Sequence, residues 1–193
     1  ESNAYHIWTG PGGPDEEGPY NGYKGEGVYM SRSTDSGESW EETSIRISPI
    51  EVVSYAFPQI DAGDPGRIAI TYLGSENSSE LSKTDLDGSP WNGNAHYANE
   101  NVSYYLYVTY SLNALDPSPV FHTYRVSPDP VQIGAICLNS GDCRDIGGSN
   151  RNLLDFNDLH IDREGRVYVA FADGCTGECA SKALNGTATP ADS

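Results

Sequence analysis

Two stretches of the chain align without a gap: Phe57-Pro-Gln-Ile-Asp-Ala-Gly-Asp-Pro-Gly-Arg-Ile-Ala-Ile-Thr-Tyr72 and Phe156-Asn-Asp-Leu-His-Ile-Asp-Arg-Glu-Gly-Arg-Val-Tyr-Val-Ala-Phe171. In each, a short run reaches a turn ending Gly-Arg, at Gly66-Arg67 and Gly165-Arg166, and a β-branched and aromatic run follows. A second repeat links other segments. Arg46-Ile-Ser-Pro49 recurs as Arg125-Val-Ser-Pro128, and upstream Gly27-Val-Tyr-Met-Ser-Arg-Ser33 parallels Leu106-Tyr-Val-Thr-Tyr-Ser111. Ala4-Tyr-His-Ile-Trp-Thr-Gly10 resembles the second strand of the first repeat, Ile68–Gly74.

End to end, these matches describe a four-stranded unit: two strands joined by the Gly-Arg hairpin, a variable loop, then strands three and four. The sequence therefore predicts an all-β chain, a β-propeller segment of four-stranded antiparallel blades. Residues 1–193 read as a single propeller segment. Residues 1–49 form a partial blade without its opening strand, 51–130 a full blade with a long insertion at 74–101, and 131–193 a partial blade with cysteine-containing loops. One full and two partial blades do not close a ring, so either the chain is a segment of a longer protein or something else supplies the missing strands. A β-sandwich is the competing architecture, but a sandwich does not require strand-by-strand repetition. Gly 21, Pro 12, Tyr 13 and a single Met agree with a turn-rich β protein.

Charge excludes some partners. With 28 Asp+Glu against 11 Lys+Arg, the net charge of −17 repels phosphate, which argues against nucleic acid and anionic membranes. No apolar run approaches the ~20 residues that span a bilayer, so no membrane span is expected. The cysteines come as Cys137…Cys143 and Cys175…Cys179 in polar, Gly/Asp/Ser-rich loops. Such pairs read as the disulfides of a secreted, extracellular protein, with the local pairs Cys137–Cys143 and Cys175–Cys179 favoured among three connectivities. A zinc site is the rival, but the pairs lack His companions at the usual spacing. Asn77, Asn101 and Asn185 are N-glycosylation acceptors by pattern.

Ser33-Thr-Asp35-Ser-Gly37-Glu-Ser-Trp40 fits S-x-D-x-G-x-x-W between two strand-like runs, and resembles the Asp box, or bacterial neuraminidase repeat, of sialidase-like propellers. Its reading from the residues is structural. Asp35 accepts from backbone N–H groups of its own turn, Gly37 allows the left-handed conformation, and Trp40 folds back onto the sheet. A degenerate second copy lies at Ser111-Leu112-Asn113, with Phe121 in the Trp place after an insertion. The resemblance implies a propeller of this kind and not by itself an enzyme, because in that family the box lies away from the catalytic centre.

Strand alternation places the short turns at one end of each blade and every long insertion (11–26, 74–101, 129–154, 173–193) at the other. The insertion end is the expected binding face. The resemblance implies that an active member would carry a Tyr nucleophile beside a Glu, an Asp acid/base and three carboxylate-gripping arginines. Arg46 and Arg125, like Arg67 and Arg166, are repeat-equivalent and read as structural; Arg163 falls in a short turn, and Arg32 lies on a strand close to the Asp box. Arg144 and Arg151 remain as substrate-carboxylate candidates, and no Tyr–Glu pair stands out. Calcium is the expected cofactor, through Asp85, Asp87, Asp142, Asp145, Asp155 and Asp158 in polar segments. Asp85-Leu-Asp87-Gly88 opens like a calcium loop but lacks the closing Glu, and a solvated acidic surface is the alternative. Asp158, in a repeated strand, is alternatively expected to bond a neighbouring blade's backbone. Trp8, Trp91 and Tyr97 are the expected ring platforms for sugars.

The expected function is extracellular ligand or glycan binding, or structural assembly, without a complete active site in this chain. The partners are a glycan or an extracellular protein, with self-association or remaining blades of a longer chain filling the strand edges. The alternative is part of an exo-sialidase whose catalytic residues lie partly outside these residues.

Overall fold

A computed structural model describes residues 2–11, 26–76, 95, 98, 102–138, 153 and 156–192. Within them the chain is predominantly β, with antiparallel pairing throughout. The first sheet has the order β1 (Ala4–Pro11), β2 (Glu26–Ser33), β3 (Ile45–Arg46). The middle sheet runs β4 (Ser54–Ala62), β5 (Ile68–Ser75), β6 (Ser103–Ser111), β7 (His122–Arg125), with β8 (Gln132–Ile133) paired to the start of β6. The last is a hairpin of β9 (Asp158–Ile161) and β10 (Val167–Ala170). Neither a closed barrel nor a closed propeller occurs among the described residues.

The middle sheet is the central layer, and β5 shows why. All eight of its residues are buried, and its sequence Ile-Ala-Ile-Thr-Tyr-Leu-Gly-Ser has no polar alternation, as a strand covered on both faces requires. On one side Ile68, Ile70 and Tyr72 pack with Val28 and Met30 of the first sheet and with Ile47 just after β3. On the other, Leu73 joins Ala56, Tyr104, Leu106 and Ile136, against which Val169 of the last hairpin leans. Strand β4 packs against β1 and β2 on one flank and β9 on the other.

The sequence repeats correspond to repeated hydrogen bonds. Gly63 N donates to Arg67 O at 3.0 Å, and Asp162 N to Arg166 O at 3.0 Å. Gly66 and Gly165 hold φ of 82° and 81° in the two turns, which a side chain would strain. The Arg-x-Ser-Pro repeat is equally regular. Tyr29 pairs with Arg46, and Tyr107 with Arg125. Val28 N donates to Ser48 Oγ at 3.1 Å, and Leu106 N to Ser127 Oγ at 3.0 Å. Each serine thus continues the ladder of its outer strand beyond the last backbone pair.

Two features depart from a simple strand reading. Phe57 has φ of 53° at a bulge in β4, where the register shifts between Ala56 and Gln59. Within the segment read as an insertion at 173–193, Glu178–Leu184 forms a seven-residue helix, α1. Its Ala, Lys, Glu and Leu content favours a helix, and Gly186, at φ 68°, follows its end. Cys175 and Cys179 are disulfide-bonded with Cα atoms 5.0 Å apart, as the spacing favoured, and pack on Ile133. Cys137 is also disulfide-bonded, while Cys143 lies outside the described residues. No described helix is long and apolar enough to cross a membrane.

Candidate functional site

The β2–β3 turn is organised by Asp35. Its Oδ1 accepts from Ser33 Oγ at 2.7 Å and from Ser39 N at 2.9 Å, and its Oδ2 accepts from Ser39 Oγ at 2.5 Å. Gly37 N donates to Ser33 Oγ at 2.8 Å, with Gly37 at φ 90°. The β6–β7 turn repeats the scheme with an amide. Asn113 Oδ1 accepts from Ser111 Oγ at 3.2 Å and from Val120 N at 2.9 Å. In each turn the donating amide precedes the aromatic, Trp40 or Phe121.

The hydrogen bonds from the Ser39 hydroxyl and amide, then from Ser33, bring the Asp35 carboxyl down to about 2. A carboxylate depressed in the folded state stabilises the fold above its unfolded value near ~4 and loses that contribution as pH falls toward about 2. We therefore expect Asp35→Asn to be less stable than the wild type at pH 6, with the gap narrowing between pH 4 and pH 2. Urea melts across that range check it.

Trp40 is 43 % exposed at the end of a row of rings on the face of the first sheet turned away from the middle one. Its ring meets His6 edge-on at 6.2 Å; His6 stacks on Trp8 at 5.4 Å, and Trp8 on Tyr29 at 6.1 Å. His6 and Trp8 are two apart on β1 and so share a face, while the pairing of Trp8 with Tyr29 supplies the next ring. The Arg46 guanidinium sits 5.7 Å from the Tyr29 ring centre and donates to Ser48 O at 3.0 Å and Tyr55 OH at 2.9 Å. The row presents an exposed Trp and His and a partly exposed Trp8, with Tyr29 buried beneath. Rings of this kind offer apolar faces with polar edges, the chemistry that stacks on sugar rings.

Arg32, Arg67, Arg125 and Arg166 are engaged within the chain. Arg32, 7 % exposed, grips Glu41 with Nε and one terminal nitrogen and donates from the other to Ala114 O at 2.6 Å and Asp116 O at 2.7 Å. Arg125 covers the Tyr105 ring at 4.4 Å. Arg166 pairs with Asp162 and Glu164, and Arg67 lies 3.8 Å from Asp64.

A Tyr–Glu pair that sequence reasoning missed does occur: Tyr107 OH donates to Glu76 Oε1 at 2.5 Å. Burial first, and then Glu76, push this phenol well above the usual tyrosine range, and the residue is only 2 % exposed. Those are the wrong conditions for a nucleophile, which must ionise and be reached. The two residues are 31 apart in sequence, and only the β5–β6 register brings them together.

Of the predicted site residues, Ser33, Asp35, Gly37, Trp40 and Trp8 meet on the first sheet. Asp158 lies apart at the start of β9, its Oδ1 accepting from the next amide, Leu159 N, at 2.8 Å. The residue that bonds across sheets is instead Asp61 of β4, whose Oδ2 accepts from Ile161 N of β9 at 2.8 Å and contacts His160 Nδ1 at 3.1 Å. Asn185 follows α1 and is exposed. Arg144, Arg151, Asp85, Asp87, Asp142, Asp145, Asp155, Trp91, Tyr97, Asn77 and Asn101 lie outside the described residues. No group of His, Cys, Asp and Glu suited to a metal occurs among the described residues.

A cleft of about 530 Å³ opens at the short-turn end, between the middle sheet and the last hairpin, lined by Asp64, Arg67, Leu112, Arg163, Glu164 and Val167 among others. Its charges are mixed, and it lies apart from the ring row. No protein-family model, curated protein or solved structure matches this chain.

Proposed function

We propose that this chain is a segment of a secreted, sialidase-like β-propeller that binds glycan through the ring row of its first sheet. The observation that carries the reading is the row itself: Trp40 edge-on to His6 and His6 stacked on Trp8, with Trp40 and His6 exposed and Trp8 partly exposed on one sheet face. The propeller part is supported by three antiparallel sheets packed in chain order and by the twin hydrogen-bond schemes around Asp35 and Asn113. Calcium held by the acidic segments at Asp85, Asp87, Asp142 and Asp145 belongs to the same proposal.

Titration with 3′-sialyllactose, N-acetyllactosamine and maltotriose, followed by tryptophan fluorescence, tests it. Saturable quenching by at least one sugar is expected, with Trp8→Ala weakening that affinity about tenfold, the scale of one lost ring contact. Quenching that is absent for all three, or indifferent to Trp8→Ala and Trp40→Ala alike, overturns the glycan reading.

A further inference from the structure

Strand β10 has the sequence of a central strand and the surroundings of an edge. Over the gapless repeat, Val167-Tyr-Val-Ala-Phe171 corresponds to Ile68-Ala-Ile-Thr-Tyr72. Every residue of β5 is buried between β4 and β6, whereas Val167 is 39 %, Tyr168 53 % and Phe171 38 % exposed. The difference is one neighbour. β9 covers one edge of β10 as β4 covers β5, and nothing among the described residues stands where β6 stands.

The free edge has a defined hydrogen-bonding register. Asp162 N already engages Arg166 O, and antiparallel pairs alternate between bonded and non-bonded. The backbone N–H and C=O of Val167 and Val169 therefore point away from β9, toward the open side. Their counterparts Ile68 and Ile70 face β6, opposite Ser111 and Thr109. Unpaired backbone groups on a strand of exposed Val, Tyr and Phe form a template for another strand.

We infer that the outer edge of β10 is a strand-accepting site. Its occupant is an antiparallel peptide segment of the β6 kind, tyrosine-rich with Leu, Val and Thr, added to the hairpin by main-chain hydrogen bonds. The repeat identifies that occupant, since it is the segment that covers the same edge of β5. The inference rests on the strand repeat and not on glycan binding, so either can fail without the other.

The experiment uses the full chain and a fluorescein-labelled peptide of residues 103–111, Ser-Tyr-Tyr-Leu-Tyr-Val-Thr-Tyr-Ser. Fluorescence anisotropy should show saturable binding, absent with a scrambled peptide of the same composition. Val167→Pro removes one outward N–H at the first position of the strand, where proline is tolerated. It should weaken binding at least tenfold while the melting temperature stays within a few degrees of wild type. If the proline variant melts early, Tyr168→Lys, which keeps every backbone group and adds a gatekeeping charge, should weaken binding instead. Equal binding of the scrambled peptide, or binding unchanged in a folded Val167→Pro variant, overturns the site. A dimer in sedimentation that Val167→Pro converts to monomer assigns the edge to a second copy of the chain and overturns the peptide partner.

Discussion

Replacing Arg32 with Met should destabilise the protein by about 3 kcal/mol, the cost of losing a nearly enclosed charged donor and stranding a buried carbonyl. The guanidinium is nearly enclosed and serves four acceptors: both oxygens of Glu41 and the carbonyls of Ala114 and Asp116. Glu41 is 40 % exposed and recovers water when released, so its share is small. Most of the loss falls on the buried Ala114 carbonyl in the β6–β7 turn, because the Asp116 carbonyl belongs to an exposed residue and recovers water. Arg32→Lys should recover little, because one ammonium cannot reach the carboxylate as a fork and both carbonyls at once. For a chain of this size the Met variant should melt about 6–12 °C lower. Thermal denaturation followed by circular dichroism decides it; a shift under about 2 °C would mean the two sheets are held by their apolar contact alone.

Gly74→Ala should cost about 2 kcal/mol by overpacking a core with no slack. A Cβ on Gly74 would lie 2.8 Å from Val52 Cγ1 and 3.1 Å from Tyr107 Cδ2. Gly74 exists because Tyr107 lies flat across the sheet. Its ring stacks on Tyr72 at 5.5 Å and 6° and runs past position 74 to reach Glu76. A methyl group there lifts the ring and breaks the hydrogen bond to Glu76. In a Val52→Ala background, which removes the nearest atom, the same glycine substitution should cost clearly less, because the two positions share one space. Chemical denaturation of the four-member cycle measures this. Additive costs would show that Gly74 is required for its backbone and not for the room it leaves. Gly27 is roofed in the same manner by Tyr29 and Arg46, at 2.9 Å and 3.0 Å from the missing Cβ.

Both predictions concern contacts that a reader of the sequence sees only in part. Gly27, Tyr29 and Arg46 are visible as members of a repeat, and so are Gly66, Ser111 and Ser127, because the same structural task recurs at matching positions of the chain. Asp35 with Ser33 and Ser39 is legible for a local reason: its partners lie within four residues. His6 and Trp8 can be placed on one face by counting twos along a strand. Their meeting with Trp40 and Tyr29 cannot, since it depends on how β1 registers on β2. Asp158 and Asp61 show the limit from the other side. Both are acidic residues on first strands of the repeat, one bonding its own strand and the other a neighbouring sheet, and no local pattern distinguishes them.

The amino-acid sequence by itself determined that this protein is built of antiparallel hairpins, and where their turns fall. Strand alternation, Gly-Arg turns and Ser-Pro ends are rules satisfied among residues close together in the chain. Tertiary structure alone decided which hairpins share a core, that Arg32 reaches carbonyls 82 and 84 residues away, and that β10 has no second neighbour among the described residues while its twin β5 is enclosed. Those outcomes turn on the direction of side chains across packed sheets. They were settled by which distant segments fill the same space, and not by any preference of the residues taken alone.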